Sequence, residues 1–135
     1  MNYLVDTHVL IWALKDDPKL SVKAREILLN KENAIYYSFA NVWEIAIKHA
    51  LHKTSITFSS RNFEELCKQA GYLLLETSCS HAYMVETLKY ADNAPREHRD
   101  PFDRLLLAQA KSENMLFLTH DGLIPYYNES CVVSV

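Results

Sequence analysis

Short apolar runs separated by helical stretches constrain the fold of this chain more than any other feature of its sequence. Residues 2–6 (NYLVD), 34–37 (AIYY), 72–75 (YLLL) and 115–118 (MLFL) each read as a short buried strand, and 131–135 (CVVSV) is a candidate fifth. Between them lie stretches with helix start and stop signals. Thr7 is placed to cap a helix whose apolar positions are Val9, Leu10, Trp12, Ala13 and Leu14, and Asp16, Asp17 and Pro18 end it. Ser21 caps a second helix with the stripe Ala24, Ile27 and Leu28. Ser38 or Asn41 starts a third, NVWEIAIKHAL, whose apolar residues cover so much of the circumference that it should be largely buried. Residues 52–61 read as a polar connector, and 62–70 as a helix with Phe63, Leu66 and Ala70 inward, ended by Gly71. Residues 80–90 are helical and 91–99 form a polar loop. Strands alternating with helices imply βαβ crossovers, hence an α/β fold around a central parallel sheet of four to five strands.

The last helix has the most explicit start. In residues 98–110, HRDPFDRLLLAQA, Asp100 precedes Pro101, and an apolar run follows. Proline is favoured at the first helical position and aspartate just before it, so Asp100 reads as the N-cap. Asp103 then falls in the first turn, where the helix dipole tolerates negative charge.

Composition bounds the rest. A chain of 135 residues with only two glycines and four prolines reads as a single domain over 1–135, without linkers. Its formal net charge of −3 argues against a simple nucleic-acid-binding module, which would usually be basic. Cys67, Cys79 and Cys131 are odd in number and lack paired spacing, which suggests free buried thiols in a reducing compartment. The start, MNYLVD, has neither a basic nor an apolar leader region, and no apolar run is long enough to span a membrane. A cytoplasmic protein is expected.

In open α/β sheets the ligand site lies beyond the carboxyl ends of the strands. Four acids fall there: Asp6 ends the first strand, Glu44 lies in the helix after the second, Asp103 precedes the fourth and Asp121 follows it. Taken singly, each has an ordinary explanation. Asp6 suits a turn or cap, Glu44 a surface pair with Lys48, Asp103 a capping arrangement with Asp100, and Asp121 a turn. Taken together, they leave the coincidence unexplained. Carboxylates about 4 Å apart repel by on the order of 4 kcal/mol per pair at an effective dielectric near 20. Such a cluster takes up protons or a cation, and all-oxygen sites suit Mg²⁺ or Mn²⁺ rather than zinc. A cation held this way can polarise a phosphodiester and activate water, with Thr7 and Thr119 near enough in sequence to orient it.

These residues fit a known family. The segments LVDTHVLIWAL (4–14), SFANVWEIAIK (38–48), HRDPFDRLLLAQA (98–110) and LTHD (118–121) occur in an order and spread that resemble the PIN-domain ribonucleases, in particular the VapC-like toxins of type II toxin–antitoxin pairs. The resemblance implies a three-layer α/β/α sandwich and Mg²⁺- or Mn²⁺-dependent endoribonuclease activity. A metal-activated water would leave a 5′-phosphate and a 3′-hydroxyl. Asp6, Glu44 and Asp103 match the family's core acids, Asp121 its less regular fourth, and Thr119 the hydroxyl residue that accompanies them. Asp100 is an extra acid that goes with the DPFD pattern, kept here as a cap or outer residue. By the same resemblance the partners are an RNA substrate, a cognate antitoxin and a second copy of the chain, joined through the N-terminal helices.

Other residues carry weaker signals. His49 and His52 lack a further pair for zinc. His8 is expected to face solvent. Arg104 could pair with an acid of the cluster or meet RNA phosphate. Trp12, Trp43, Phe39 and Phe102 sit at helical positions and are expected in the core. A catalytically inactive module of the same fold, binding RNA or a protein, is the alternative function, and the complete acid set argues against it. An aspartyl-phosphate phosphotransfer enzyme needs a second Asp two positions after Asp6, where His8 stands.

Overall fold

The computed structural model describes residues 1–51 and 57–135, so His52 and part of the expected connector lie outside the described residues. In chain order the elements are β1 (Asn2–Val5), α1 (Thr7–Leu14), α2 (Val22–Leu29), β2 (Ala34–Ser38), α3 (Phe39–Ala50), α4 (Ser60–Gln69), β3 (Leu73–Leu75), α5 (Cys79–Val85), α6 (Pro101–Ser112), β4 (Leu116–Thr119) and β5 (Val132–Ser134). A 3₁₀ turn, Ile124–Tyr127, separates the last two strands.

The strands form one parallel sheet in the order β3-β2-β1-β4-β5. Both faces are covered, which is why the strands lack alternating polarity. Tyr3, Val5, Ile35, Tyr37 and Leu118 point to one face and pack with Val9 and Leu10 of α1, Ala24 of α2, Ile45 of α3, and Phe63 and Cys67 of α4. Leu4 and Phe117 point to the other, against Leu106, Leu107 and Ala110 of α6, Leu88, Ile124 and Tyr127. The result is the expected three-layer sandwich. No helix among the described residues is long and apolar enough to cross a membrane.

Local capping follows the sequence closely, with one exception. Ser21 caps α2, and Gly71, with φ +84°, closes α4 in the left-handed conformation glycine favours. Asp100 Oδ1 accepts from the backbone N–H groups of Phe102 (2.9 Å) and Asp103 (3.1 Å), and Pro101 opens α6. At α3 both candidates act: Ser38 is the N-cap, and Asn41 at the third position reaches back to the Ser38 N–H. The exception is Thr7. Asp6 caps α1 instead, accepting from Val9 N at 2.9 Å, because β1 ends one residue before it.

Three further expectations are corrected. Helix α3 is buried only along Ala40, Asn41, Glu44 and Ile45; Phe39 and Trp43 are 45% and 51% exposed, since an apolar circumference does not say which side meets the sheet. In α4, Cys67 takes the inward place expected of Ala70, which is exposed. Helix α5 ends at Val85 rather than continuing to residue 90.

A buried polar chain joins the layers. Ser38 Oγ donates to Gln109 Oε1 at 2.6 Å, and Gln109 Nε2 donates to Thr77 Oγ1 (3.2 Å) and His81 Nδ1 (3.3 Å). His81 Nε2 lies 2.7 Å from Glu113 Oε1. Gln109 and Ser38 are fully buried. Gln109→Leu keeps the volume but strands the Ser38 hydroxyl without its partner. It should lower unfolding stability by about 2 kcal/mol, read as a reduced urea midpoint with an unchanged slope.

Candidate active site

The sheet order fixes where a site can form. The chain steps from β1 outward through β2 to β3, then returns to the other side of β1 for β4 and β5. The strand order therefore reverses between β1 and β4, and the crevice at their carboxyl ends is the expected ligand position. Asp6 leaves the end of β1, and Thr119, His120 and Asp121 lie at and just beyond the end of β4.

Asp6 is almost fully buried. Besides capping α1 with Oδ1, it accepts on Oδ2 from Thr119 Oγ1 (2.5 Å) and His120 N (3.2 Å). Thr119 Oγ1 in turn accepts from Asp121 N at 3.1 Å, so one hydroxyl holds two of the predicted acids in relation. Burial raises the Asp6 pKa, opposed by these hydrogen bonds. Asp121 Oδ1 accepts from Leu123 N at 2.8 Å.

Glu44 is also buried, yet both its oxygens are engaged. Oε1 accepts from Thr7 Oγ1 and Oε2 from Lys48 Nζ, each at 2.5 Å. Asn41 Nδ2 donates to Thr7 Oγ1 at 2.9 Å, completing the support. The i,i+4 pairing with Lys48 is thus present, but on a buried carboxylate rather than a solvated face.

Asp103 stands in the first turn of α6. Its pKa is pushed up to about 6, first by burial and further by the negative charges of Asp100, Asp6 and Glu44; a hydrogen bond from His98 works against the rise. His98 is the residue that the sequence did not single out. Its side chain is 4% exposed, with Nε2 3.2 Å from Asp103 Oδ2 and 3.7 Å from Asp121 Oδ2. Its Nδ1 lies 2.8 Å from the Tyr127 hydroxyl. The hydrogen bond with Asp103 raises the His98 pKa, against the opposing effect of burial. Its place in the polar 91–99 loop, two residues before the cap Asp100, was the only sequence signal.

A cleft of about 190 Å³ is lined by Asp6, His8, Trp12, Asp103, His120 and Asp121. The structure thus brings three of the four predicted acids to one cavity. Glu44 is not among its lining residues, although Asp103 feels its charge. Among the described residues, His98, Asp103 and Asp121 form a group whose potential ligand atoms all lie within 4.8 Å of one another. His8 is exposed at the rim, and Trp12 is half-buried: it packs against the core on one side and edge-on against His120 on the other, with ring centroids 5.1 Å apart. Arg104 pairs with no acid among the described residues; its buried Nε has no partner, and it lines a separate cavity with Tyr90, His98 and Tyr127. The cleft offers three carboxylates, with His8 and His120 at its rim and the His98 ring beside Asp103 and Asp121. That set fits a hard divalent cation, and the raised acids are the negative charge such an ion would relieve.

A doubly wound parallel sheet carrying an acid-lined cleft at its switch point defines the class. The family model for the PIN domain matches residues 3–127, and the chain belongs to that family. No curated protein matches the chain by sequence. Among solved structures, VapBC2 from Rickettsia felis, bound to a DNA fragment from its promoter, superposes with a TM-score of 0.66 at 17% identity, over 100% of this chain and 98% of that one. VapBC-1 from nontypeable Haemophilus influenzae gives a TM-score of 0.64 at 20% identity, over 99% and 98%. At these identities the likeness is one of fold.

The acid cleft has a consequence for stability. A carboxyl whose folded pKa exceeds its unfolded value binds its proton more tightly when folded. Its stabilising contribution is complete below the unfolded pKa and is lost as pH rises through the folded one. For Asp103, from 3.8 to about 6, the loss is roughly 3 kcal/mol. The raised His98 pKa acts in the same direction. In EDTA the protein should therefore lose stability as pH rises from about 4 to about 7, and Asp103→Asn should flatten much of that slope in thermal melts across the range.

Proposed function

We propose that this chain is a Mg²⁺- or Mn²⁺-dependent endoribonuclease, the toxin of a toxin–antitoxin pair. The observation that carries the reading is the convergence of Asp6, Asp103 and Asp121 in one cleft at the β1–β4 switch point of a PIN fold, the first two with pKa values raised by burial. Asp6, Asp103 and Asp121 would hold the cation from the cleft wall. Glu44 acts from behind Thr7, adding negative charge to the field at Asp103 and available to the centre if Lys48 releases it. When bound, the cation supplies Lewis acidity to the phosphodiester and lowers the pKa of water.

The protein's own residues do the placing. Asp6 is fixed by three donors and cannot swing. Thr119 fixes the backbone of Asp121, and the Asp100 cap fixes where α6 begins and so where Asp103 points. His8, Trp12 and His120 at the rim are the first groups an incoming RNA strand would meet. The partner inferred from the VapBC neighbours is an antitoxin that covers this cleft, and a homodimer is proposed with it.

The two acids of the DPFD segment separate under test. Cleavage of a single-stranded RNA should require added Mg²⁺ or Mn²⁺, and Asp103→Asn should reduce it to the level in EDTA with the fold intact by circular dichroism. Asp100→Ala should cost about 1 kcal/mol of stability and leave cleavage largely in place. Full cleavage by Asp103→Asn, or by the wild type in EDTA, would remove the chemistry from this cleft.

A further inference from the structure

We propose that His98 is a ligand of the cation through Nε2, giving an otherwise all-oxygen centre one nitrogen donor. The inference rests on the reading of the cleft as a divalent-metal site and adds a residue to it.

Three atoms converge: His98 Nε2, Asp103 Oδ2 and Asp121 Oδ2, with the nitrogen 3.2 and 3.7 Å from the two oxygens. Neighbouring ligands of one ion at about 2.1 Å stand roughly 3 Å apart, so these atoms already have nearly the spacing of cis ligands. The ring is buried, comes from the loop that leads into α6, and packs against a pair of tyrosines. Its centroid lies 5.4 Å from the Tyr127 ring, at 89°, and 6.2 Å from that of Tyr90.

The other ring nitrogen supports the same role. A histidine that ligates through Nε2 must carry its hydrogen on Nδ1 and needs an acceptor there. The Tyr127 hydroxyl lies 2.8 Å from Nδ1 and 3.5 Å from the His98 carbonyl oxygen. It can accept from Nδ1–H while donating its own hydrogen to the carbonyl. The Nδ1 hydrogen and the Tyr127 hydroxyl hydrogen are then both placed, and the Nε2 lone pair faces the two carboxylates. With Nε2 deprotonated, two carboxylate oxygens and a ring lone pair so placed repel one another, and a cation among them takes the place of the proton that Nε2 otherwise shares with Asp103.

A nitrogen donor also changes the ion preferred. Carboxylate and water suit Mg²⁺ and Mn²⁺ alike, whereas imidazole favours the transition metal. The intact centre should therefore bind Mn²⁺ in preference to Mg²⁺ by a wider margin than its acids alone would give.

The test loads the full chain with Mn²⁺ alone and reads the bound ion by pulsed electron paramagnetic resonance. Coupling to a directly bound ¹⁴N is expected in the wild type. It should persist in His8→Gln and His120→Gln, the histidines that line the cleft, and vanish in His98→Gln, which should bind Mn²⁺ about 10-fold more weakly and discriminate less against Mg²⁺. Should His98→Gln not fold, Tyr127→Phe serves: the nitrogen coupling stays and Mn²⁺ affinity falls. Mn²⁺ bound without nitrogen coupling, and lost in Asp103→Asn, would overturn the role of His98 and leave the acid centre standing. No Mn²⁺ bound by the wild type would overturn both.

Discussion

The carboxylate of Asp6 is the joint on which the rest of the site hangs. It ends β1, begins α1 by accepting from Val9 N, and ties the end of β4 by accepting from the Thr119 hydroxyl and His120 N. One side chain thus closes the sheet at the point where the strand order reverses. Because α1 starts at Thr7, the Thr7 hydroxyl is free to meet Glu44 and Asn41 from α3. Because Thr119 is turned toward Asp6, its oxygen is free to receive Asp121 N. An apolar residue at position 6 would remove a cap and a cross-strand tie together, and would loosen the threonines that place two other acids.

What could be read from the sequence was whatever local chemistry decides. Asp100 before Pro101 specifies a helix start wherever it occurs, and Gly71 a helix end. The strand-end rule placed Asp6 and Asp121 because it needs only strand order and direction. Thr7 and Asp6 are both cap residues, and choosing between them depends on the last residue of β1, the least certain feature of any strand. Periodicity marked α3 as apolar nearly all round. It does not choose the side that meets the sheet, which is why Trp43 and Phe39, apolar and at helical spacing, lie half-exposed. His98 was illegible for a different reason. It sits in a loop with no period, and its partner Tyr127 comes 29 residues later in a 3₁₀ turn. Only the folded chain brings the two together.

The acids differ most in how each is neutralised, and that difference sets which of them a bound cation would relieve most. Glu44 has Lys48 and a hydroxyl on its two oxygens. Asp6 has three neutral donors that share its charge across the ends of two strands. Asp121 rests on a backbone N–H and remains partly in water. Asp103 has only His98, set against the field of Asp100, Asp6 and Glu44, and its pKa is correspondingly pushed up to about 6. A fold selected for stability alone would place a lysine or a neutral residue there. Local rules are broken at functional sites and offset elsewhere. Here the break is confined to one carboxyl in the first turn of α6, and the stability it gives up near neutral pH is what a divalent ion between Asp103 and its neighbours would restore.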